Sequence, residues 1–260
     1  MGDHIRYSRE GSVGVVTIDR PEKKNAMTFA MLGDFISTID EAGRDDAISV
    51  LVVRGVAGAF CAGTDLADLA TIPGDKRGLR GSAEETEKWW PIVQCPKVTI
   101  CAIDGPAVGM GAEFTSQCDI RIASTRARFA WNFVHRGLVP DTGAGTFLLP
   151  RIVGLQHALR LLYTGDMIDA ARAHEIGYVS QLVEPEDLDA EVMSLATRVA
   201  TGSPHSLRLI KGLTYEGLVS SVDEHMVRHT SAMSASFKSD DHREGVAAFL
   251  ERRPARFTGH

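Results

Sequence analysis

Apolar positions fall along this chain in two rhythms. Residues 4–9 and 13–19 alternate or run apolar on either side of Glu10-Gly11-Ser12, the pattern of an N-terminal β-hairpin. Residues 49–56 and 98–103 are short, nearly unbroken apolar runs, which predicts strands buried on both faces. Between them Leu32, Phe35, Ile36 and Ile39 recur at helical spacing, with Thr28 as the expected N-cap and Gly43 as the expected stop. Residues 120–123 and 127–130 predict two more short strands. Beyond them the spacing turns helical. Leu159, Leu162 and Tyr163 are expected to pack one helix, and residues 170–176 form another. Residues 177–183 read as a short extended return, followed by a stripe of Leu188, Val192, Leu195 and Val199 that ends near Gly202. Residues 203–219, 222–236 and 240–251 make the last third α-helical. Mixed strands and helices without a linker or internal repeat predict an α/β fold.

Two strand ends carry the same device. After the run 49–56 comes Gly58-Ala59-Phe60-Cys61-Ala62-Gly63-Thr64-Asp65-Leu66. After the run 98–103 come a turn expected at Gly105-Pro106, then Gly109 and Gly111 where a helix would begin, with Glu113 in its first turn. Glycine lets backbone approach a ligand closely, and a helix start offers unpaired N–H groups and partial positive charge. Two such ends facing each other would aim two amides at one oxygen, with a carboxylate beside them. Taken singly, each is also explained as a tight strand-to-helix turn, with Glu113 complementing the helix dipole. Further on, Pro140-Asp141 precedes Gly143 and Gly145 and predicts another helix start, with Asp141 as cap or first-turn acid.

Composition narrows the remaining choices. A length of 260 residues suits one larger α/β domain. The net charge of −6 gives no general attraction to a polyanion, so nucleic acid is not an expected partner. The four cysteines, Cys61, Cys95, Cys101 and Cys118, lack CxxC or metal-ligand spacing, which suggests buried, reduced thiols in a cytoplasmic protein. No apolar run approaches the ~18 residues that span a bilayer, so no membrane partner is expected. His225 and His229 share a helix face but lack a third ligand, so no metal is expected. Gly109-x-Gly111-x-x-Phe114 lacks the third glycine of a dinucleotide fingerprint. Residues 71–83, rich in Gly, Arg, Lys and Pro, read as a mobile loop leading to a helix with Trp89 and Trp90.

Taken together, the motifs resemble the crotonase superfamily, the enoyl-CoA hydratases and isomerases. The resemblance is carried by Asp19-Arg20-Pro21 with Lys24-Asn25-Ala26, by Phe60-Cys61-Ala62-Gly63-Thr64-Asp65-Leu66, and by Asp104-Gly105-Pro106-Ala107-Val108-Gly109-Met110-Gly111-Ala112-Glu113. Cys118-Asp119-Ile120-Arg121-Ile122-Ala123, Gly137-Leu138-Val139-Pro140-Asp141 and Leu149-Pro150-Arg151-Ile152-Val153-Gly154 complete it. It implies a crotonase-type spiral of ββα turns over residues 1–200 that binds acyl-CoA. A helical C-terminal region over 201–260 would mediate oligomerisation, as a homotrimer or dimer of trimers.

The same resemblance implies site roles. The thioester oxygen would be held by the backbone N–H groups of Thr64 and Met110. Glycine is usual in the family where Met110 stands, so the Met110 side chain must point away from the thioester. Glu113 matches one of the two glutamates of family hydratases, whereas the second falls on Phe133, which carries no proton. Asp141 sits where several family isomerases keep their working carboxylate. Double-bond isomerisation of an enoyl-CoA in fatty-acid or related acyl-CoA metabolism is therefore expected, with Asp141 as acid/base and Glu113 assisting. Hydration by Glu113 and Asp141 and a non-catalytic acyl-CoA binder are the alternatives. Lys24, Ala26, Ala62, Asp65, Leu66, Gly109 and Phe133 would line the acyl-CoA site, and Phe237 and Arg252 would reach the nucleotide from a neighbouring subunit. No cofactor is expected, coenzyme A entering as part of the substrate.

Overall fold

The computed structural model describes residues 4–71 and 90–260. The hairpin is present as β1 (Ile5–Glu10) and β2 (Val13–Ile18), paired antiparallel. A 3-10 turn over Pro21–Lys23 leads to α1 (Phe29–Arg44), which Thr28 caps by accepting the Met31 amide at 3.2 Å. Then follow β3 (Val50–Gly55), α2 (Leu66–Thr71), α3 (Pro91–Gln94), β4 (Val98–Ile103) and β5 (Pro106–Val108). Next come α4 (Met110–Gln117), β6 (Ile120–Ser124), β7 (Arg128–Ala130) and a 3-10 turn over Asn132–Arg136. α5 (Ala144–Phe147), α6 (Leu149–Val153), α7 (Leu155–Thr164), β8 (Ile168–Asp169), α8 (Ala170–Glu175), β9 (Gln181–Val183) and α9 (Leu188–Ala200) complete the core.

Among the described residues, one six-stranded sheet runs β1-β2-β3-β4-β6-β9, all parallel beyond the first pair, and β5-β7-β8 form a second, three-stranded sheet. The unbroken apolar runs follow from this topology. Successive strand side chains point to opposite faces. Val50, Val52, Ile100 and Ala102 therefore pack with Leu188, Val192 and Ala196 of α9. Their neighbours Leu51, Val53, Cys101 and Ile103 pack in a second cluster with Phe35, Phe114, Phe129 and Trp131. All four cysteines are free and buried.

The structure corrects three predicted details. Gly43 does not stop α1, which runs on to Arg44. A side chain at Gly43 would come within 3.1 Å of the Pro96 ring, so glycine there lets the last turn approach Pro96. Gly105-Pro106 is no simple turn, because Pro106 opens β5, where Ala107 pairs in parallel with Cys61. On α7 the core is met by Ala158 and Leu161, and of the residues expected only Leu162 packs against it. Leu159 and Leu162 are half-buried and Tyr163 is exposed, because apolar residues occupy more than one side of this helix.

The C-terminal region is helical as predicted: α10 (Pro204–Gly217), α11 (Val222–Lys238) and α12 (Asp240–Glu251). Each starts on a serine whose hydroxyl accepts a first-turn amide, and Ser221 with Glu224 forms a full capping box. α11 packs on α10 and α12, and carries no buried residue of its own. The loop expected over 71–83 lies outside the described residues except Thr71, which ends α2. Of the expected tryptophan helix, Trp89 also lies outside them, and Trp90 directly precedes α3. No helix among the described residues is long and apolar enough to cross a membrane.

Candidate active site

The two glycine turns lie side by side. The amides of Phe60 and Cys61 both donate to the Pro106 carbonyl, at 3.1 and 3.0 Å, and the Val108 amide donates back to Cys61 O at 3.0 Å. This pairing carries residues 60–64 along β5 to the start of α4. Gly111 makes the approach possible, since a Cβ there would sit 2.1 Å from the Cys61 carbonyl oxygen. Alanine does not fit.

The predicted amide donors meet at this seam. Met27 donates to Gly63 O and accepts from the Asp65 amide, both at 2.8 Å, so the Thr64 N–H between them points away from Met27. Met110 is the first residue of α4, where no carbonyl one turn earlier is available within the helix. Its amide nitrogen lies 3.8 Å from the point a Cβ on Gly63 would occupy. Neither amide donates to a backbone carbonyl of the described residues. The Met110 side chain is buried, with its Sδ 3.8 Å from Thr64 Oγ1.

Glu113 follows one turn into α4 and is fully buried. Burial pushes its carboxyl up to about 7, against the Thr142 hydrogen bond and the nearby Gly145 amide, which favour the charge, and with the Asp141 charge adding to the rise. Thr142 Oγ1 donates to Glu113 Oε2 at 2.7 Å, and itself accepts from the Ala144 amide at 3.3 Å. Oε1 is packed against Gly145, where a Cβ would stand 2.3 Å from it and 3.0 Å from Trp131 Cδ1.

Asp141 is not a helix cap. α5 starts at Ala144, and its N-cap is Gly143 in the left-handed region at φ 76°, a conformation that favours glycine over aspartate. Asp141 is thereby left on the non-helical segment before α5, half-buried, with Oδ1 enclosed. Its charge bears on two groups at the seam. It raises the Glu113 carboxyl, and it contributes, after burial, to a Cys61 thiol pushed up to about 12. Phe133, in the 3-10 turn, places its ring 3.9 Å from the point a Cβ on Gly109 would occupy. The site thus joins Thr64, Met110, Glu113, Asp141, Gly109 and Phe133.

The other predicted contacts divide. Lys24 and Ala62 are joined by a 3.0 Å bond from the Ala62 amide to Lys24 O, and Arg20 Nη1 donates to both Ala26 O and Asp65 Oδ2, at 3.0 and 2.7 Å. The Asp65 carboxylate is held by Arg20, which keeps it below the usual carboxylate range, and its Oδ1 accepts the Ala67 amide at the start of α2. Its side chain therefore braces the loop. Leu66 is exposed, Lys24 likewise. Phe237, on α11, and Arg252, which ends α12, belong to the C-terminal layer and are not brought to this seam within one chain.

Known proteins share this fold. A family model described as enoyl-CoA hydratase/isomerase matches residues 8–260. The chain belongs to the enoyl-CoA hydratase/isomerase family. It is 36% identical to 1,2-epoxyphenylacetyl-CoA isomerase of Escherichia coli K12 over the whole of both chains. It is 34% identical to crotonyl-CoA hydratase of Syntrophomonas wolfei, over 98% of each. Its fold superposes on the crystal structure of an enoyl-CoA hydratase from Bacillus anthracis with a TM-score of 0.93, at 27% identity over 99% of this chain and 100% of that one. It is a mixed α/β enzyme of this family with a helical C-terminal region.

Several residues of this enoyl-CoA hydratase/isomerase family member shape the site with little or no signal in the sequence. Asn25 is fully buried, donates to Val56 O and Ala59 O, accepts the Arg20 amide, and so clamps residues 20–26 to the turn after β3. Its place in the Lys24-Asn25-Ala26 motif does not announce this clamp, although asparagine is a residue type that tolerates the positive φ of 59° found here. Thr142 and Gly145 act on Glu113 from far along the chain, and no local pattern marks them.

Proposed function

We propose that the enzyme shifts the double bond of a 3-enoyl-CoA into conjugation, giving a 2-enoyl-CoA. Asp141 takes a proton from C2, the electron pair moves through the thioester to its carbonyl oxygen, and the Thr64 and Met110 amides stabilise the resulting dienolate. The proton is then delivered to C4, and the C3–C4 double bond becomes C2–C3. Nothing is oxidised or reduced. Each preorganised amide would contribute roughly 3–4 kcal/mol to the transition state. The observation that carries this reading is the placement of Asp141, off the helix it is expected to cap and close enough to act electrostatically on Glu113 and Cys61. The apolar Phe133 near Gly109 also supports it, because the position matching a second hydratase glutamate holds a ring. The relatives carry both isomerase and hydratase names, which favour neither reading.

Lys24, Ala26 and Ala62 are the proposed nucleotide loop, with Phe237 and Arg252 supplied by a neighbouring chain of a trimer or dimer of trimers. A second reading, hydration of a 2-enoyl-CoA by Glu113 and Asp141, is favoured by one observation. A carboxyl raised to about 7 can both give and accept a proton near neutrality. Separate incubation with 3-enoyl-CoA and 2-enoyl-CoA decides between them. Conjugated thioester from the first, lost by about a thousandfold in Asp141→Asn, is the expected result. A 3-hydroxyacyl product from the second, or a fully active Asp141→Asn enzyme, would displace the isomerase reading.

A further inference from the structure

The segment 137–143 has no helix or strand of its own, yet it must present Asp141 and Thr142 to the seam. Its fixed point comes from outside the segment. Trp90 Nε1 donates to the Thr142 carbonyl oxygen at 2.8 Å, across 52 residues of chain. The indole is itself located by packing: its ring lies 5.2 Å from that of Phe147 on α5, and Arg151 covers Phe147 with its guanidinium 3.7 Å from the ring centre. The backbone behind it is equally anchored. Trp90 O accepts the Gln94 amide in the first turn of α3, Ile92 is fully buried, and Lys211 Nζ donates to Ile92 O at 3.1 Å.

One residue is therefore held at both ends. The Thr142 carbonyl is tied to Trp90 and the Thr142 hydroxyl to Glu113, with Asp141 immediately before it. A loop carbonyl that loses its directional tether can rotate, and the flanking side chains move with the peptide plane. A displacement of about 1 Å in a reacting group costs up to about a hundredfold in rate.

We propose that Trp90 is a positioning residue for the candidate carboxylates, its indole N–H fixing the Thr142 carbonyl and with it the orientation of Asp141 and of the Thr142 hydroxyl on Glu113. Trp90 does not meet the substrate in this role; it acts through Thr142. The identity of the reacting carboxylate rests on the isomerase reading above, but the tether does not.

The test compares the full-length protein carrying Trp90→Phe, and carrying the benzothienyl analogue of tryptophan at position 90, with wild type. The analogue keeps the ring's shape and its packing on Phe147 but has no N–H. On 3-enoyl-CoA, both variants are expected to lose about tenfold or more in kcat with KM within about twofold, because ground-state binding does not use the tether. Amide hydrogen exchange at Ala144, whose N–H donates to Thr142 Oγ1, is expected to quicken by about tenfold. Unchanged kcat and unchanged exchange in the analogue would overturn the proposal, even if Trp90→Phe folds poorly. If Asp141→Asn stays active while the exchange still quickens, the isomerase reading fails and the tether stands. If exchange is unchanged while Asp141→Asn is inactive, the tether fails and the isomerase reading stands.

Discussion

Thr142 and Glu113 share a buried hydrogen bond in which the threonine hydroxyl donates to the carboxylate at 2.7 Å. The bond works against burial: the enclosed site favours the neutral acid, and the hydroxyl favours the anion. Replacing Thr142 with valine keeps the volume and removes the donor. The Glu113 carboxyl is then expected to rise further above about 7. The Ala144 amide also loses its acceptor, and the two losses together cost about 1–3 kcal/mol of stability. The carboxyl 13C shift of Glu113 followed against pH, with Glu113→Gln assigning the signal, checks the direction. A midpoint lower than in wild type would contradict it.

The seam between the glycine turns yields a steric prediction. A methyl group at Gly111 would stand 2.1 Å from the Cys61 carbonyl oxygen, which is backbone and cannot rotate aside like a side-chain end. Gly111→Ala must therefore push residues 60–64 away from α4, separating the Thr64 and Met110 amides. Activity is expected to fall by at least about a hundredfold, the effect of misplacing one donor. Circular dichroism should retain the helical signal, since α10, α11 and α12 pack on one another in the C-terminal layer. Wild-type turnover in Gly111→Ala would mean the two amides do not act together.

Much of this architecture is legible in the sequence because it follows local rules. The alternating faces of β3 and β4, the caps at Thr28 and Ser221 and the paired glycine turns each depend on neighbours within a few residues. Where structure and expectation part, the deciding partner is distant or the local signals conflict. Gly43 reads as a stop because nothing local announces Pro96. Asp141 reads as a cap because Pro-Asp-x-Gly favours one, and the left-handed Gly143 displaces it. Trp90 and Thr142 bond across 52 residues, a relation set by packing and not by any spacing.

Burial of Glu113 makes folding stability depend on pH with a definite sign. Its folded value of about 7 lies above the ordinary 4.5, so the folded protein holds a proton that the unfolded chain releases between those limits. The contribution is fully present below pH 4.5 and is lost as pH rises through 7, a total of about 3 kcal/mol. Urea denaturation at fixed protein concentration across this interval should show wild type losing stability relative to Glu113→Gln, which has no proton to release. Parallel curves for the two proteins would show that Glu113 titrates normally.

The C-terminal helices are joined to the core through a buried cation. Lys211 on α10 places its Nζ 3.0 Å from Asp119 Oδ2, and also donates to Ile92 O at 3.1 Å and Lys97 O at 3.0 Å. Asp119 also accepts the Thr99 amide on Oδ2 at 2.7 Å and, on Oδ1, the hydroxyl of Tyr215, likewise on α10, at 2.9 Å. Removing one member of such a pair leaves the other charge and two carbonyls buried without their partner, which costs about 3–5 kcal/mol. Lys211→Met, close in length and volume, is therefore expected to lose about that much in urea denaturation. The double variant Lys211→Met with Asp119→Asn is expected to recover part of it, because no uncompensated charge remains. Since Lys211 also holds the carbonyl of Ile92 behind Trp90, the single variant should lower kcat before it lowers substrate affinity. A Lys211→Met protein as stable as wild type would show that α10 docks by its apolar contacts alone.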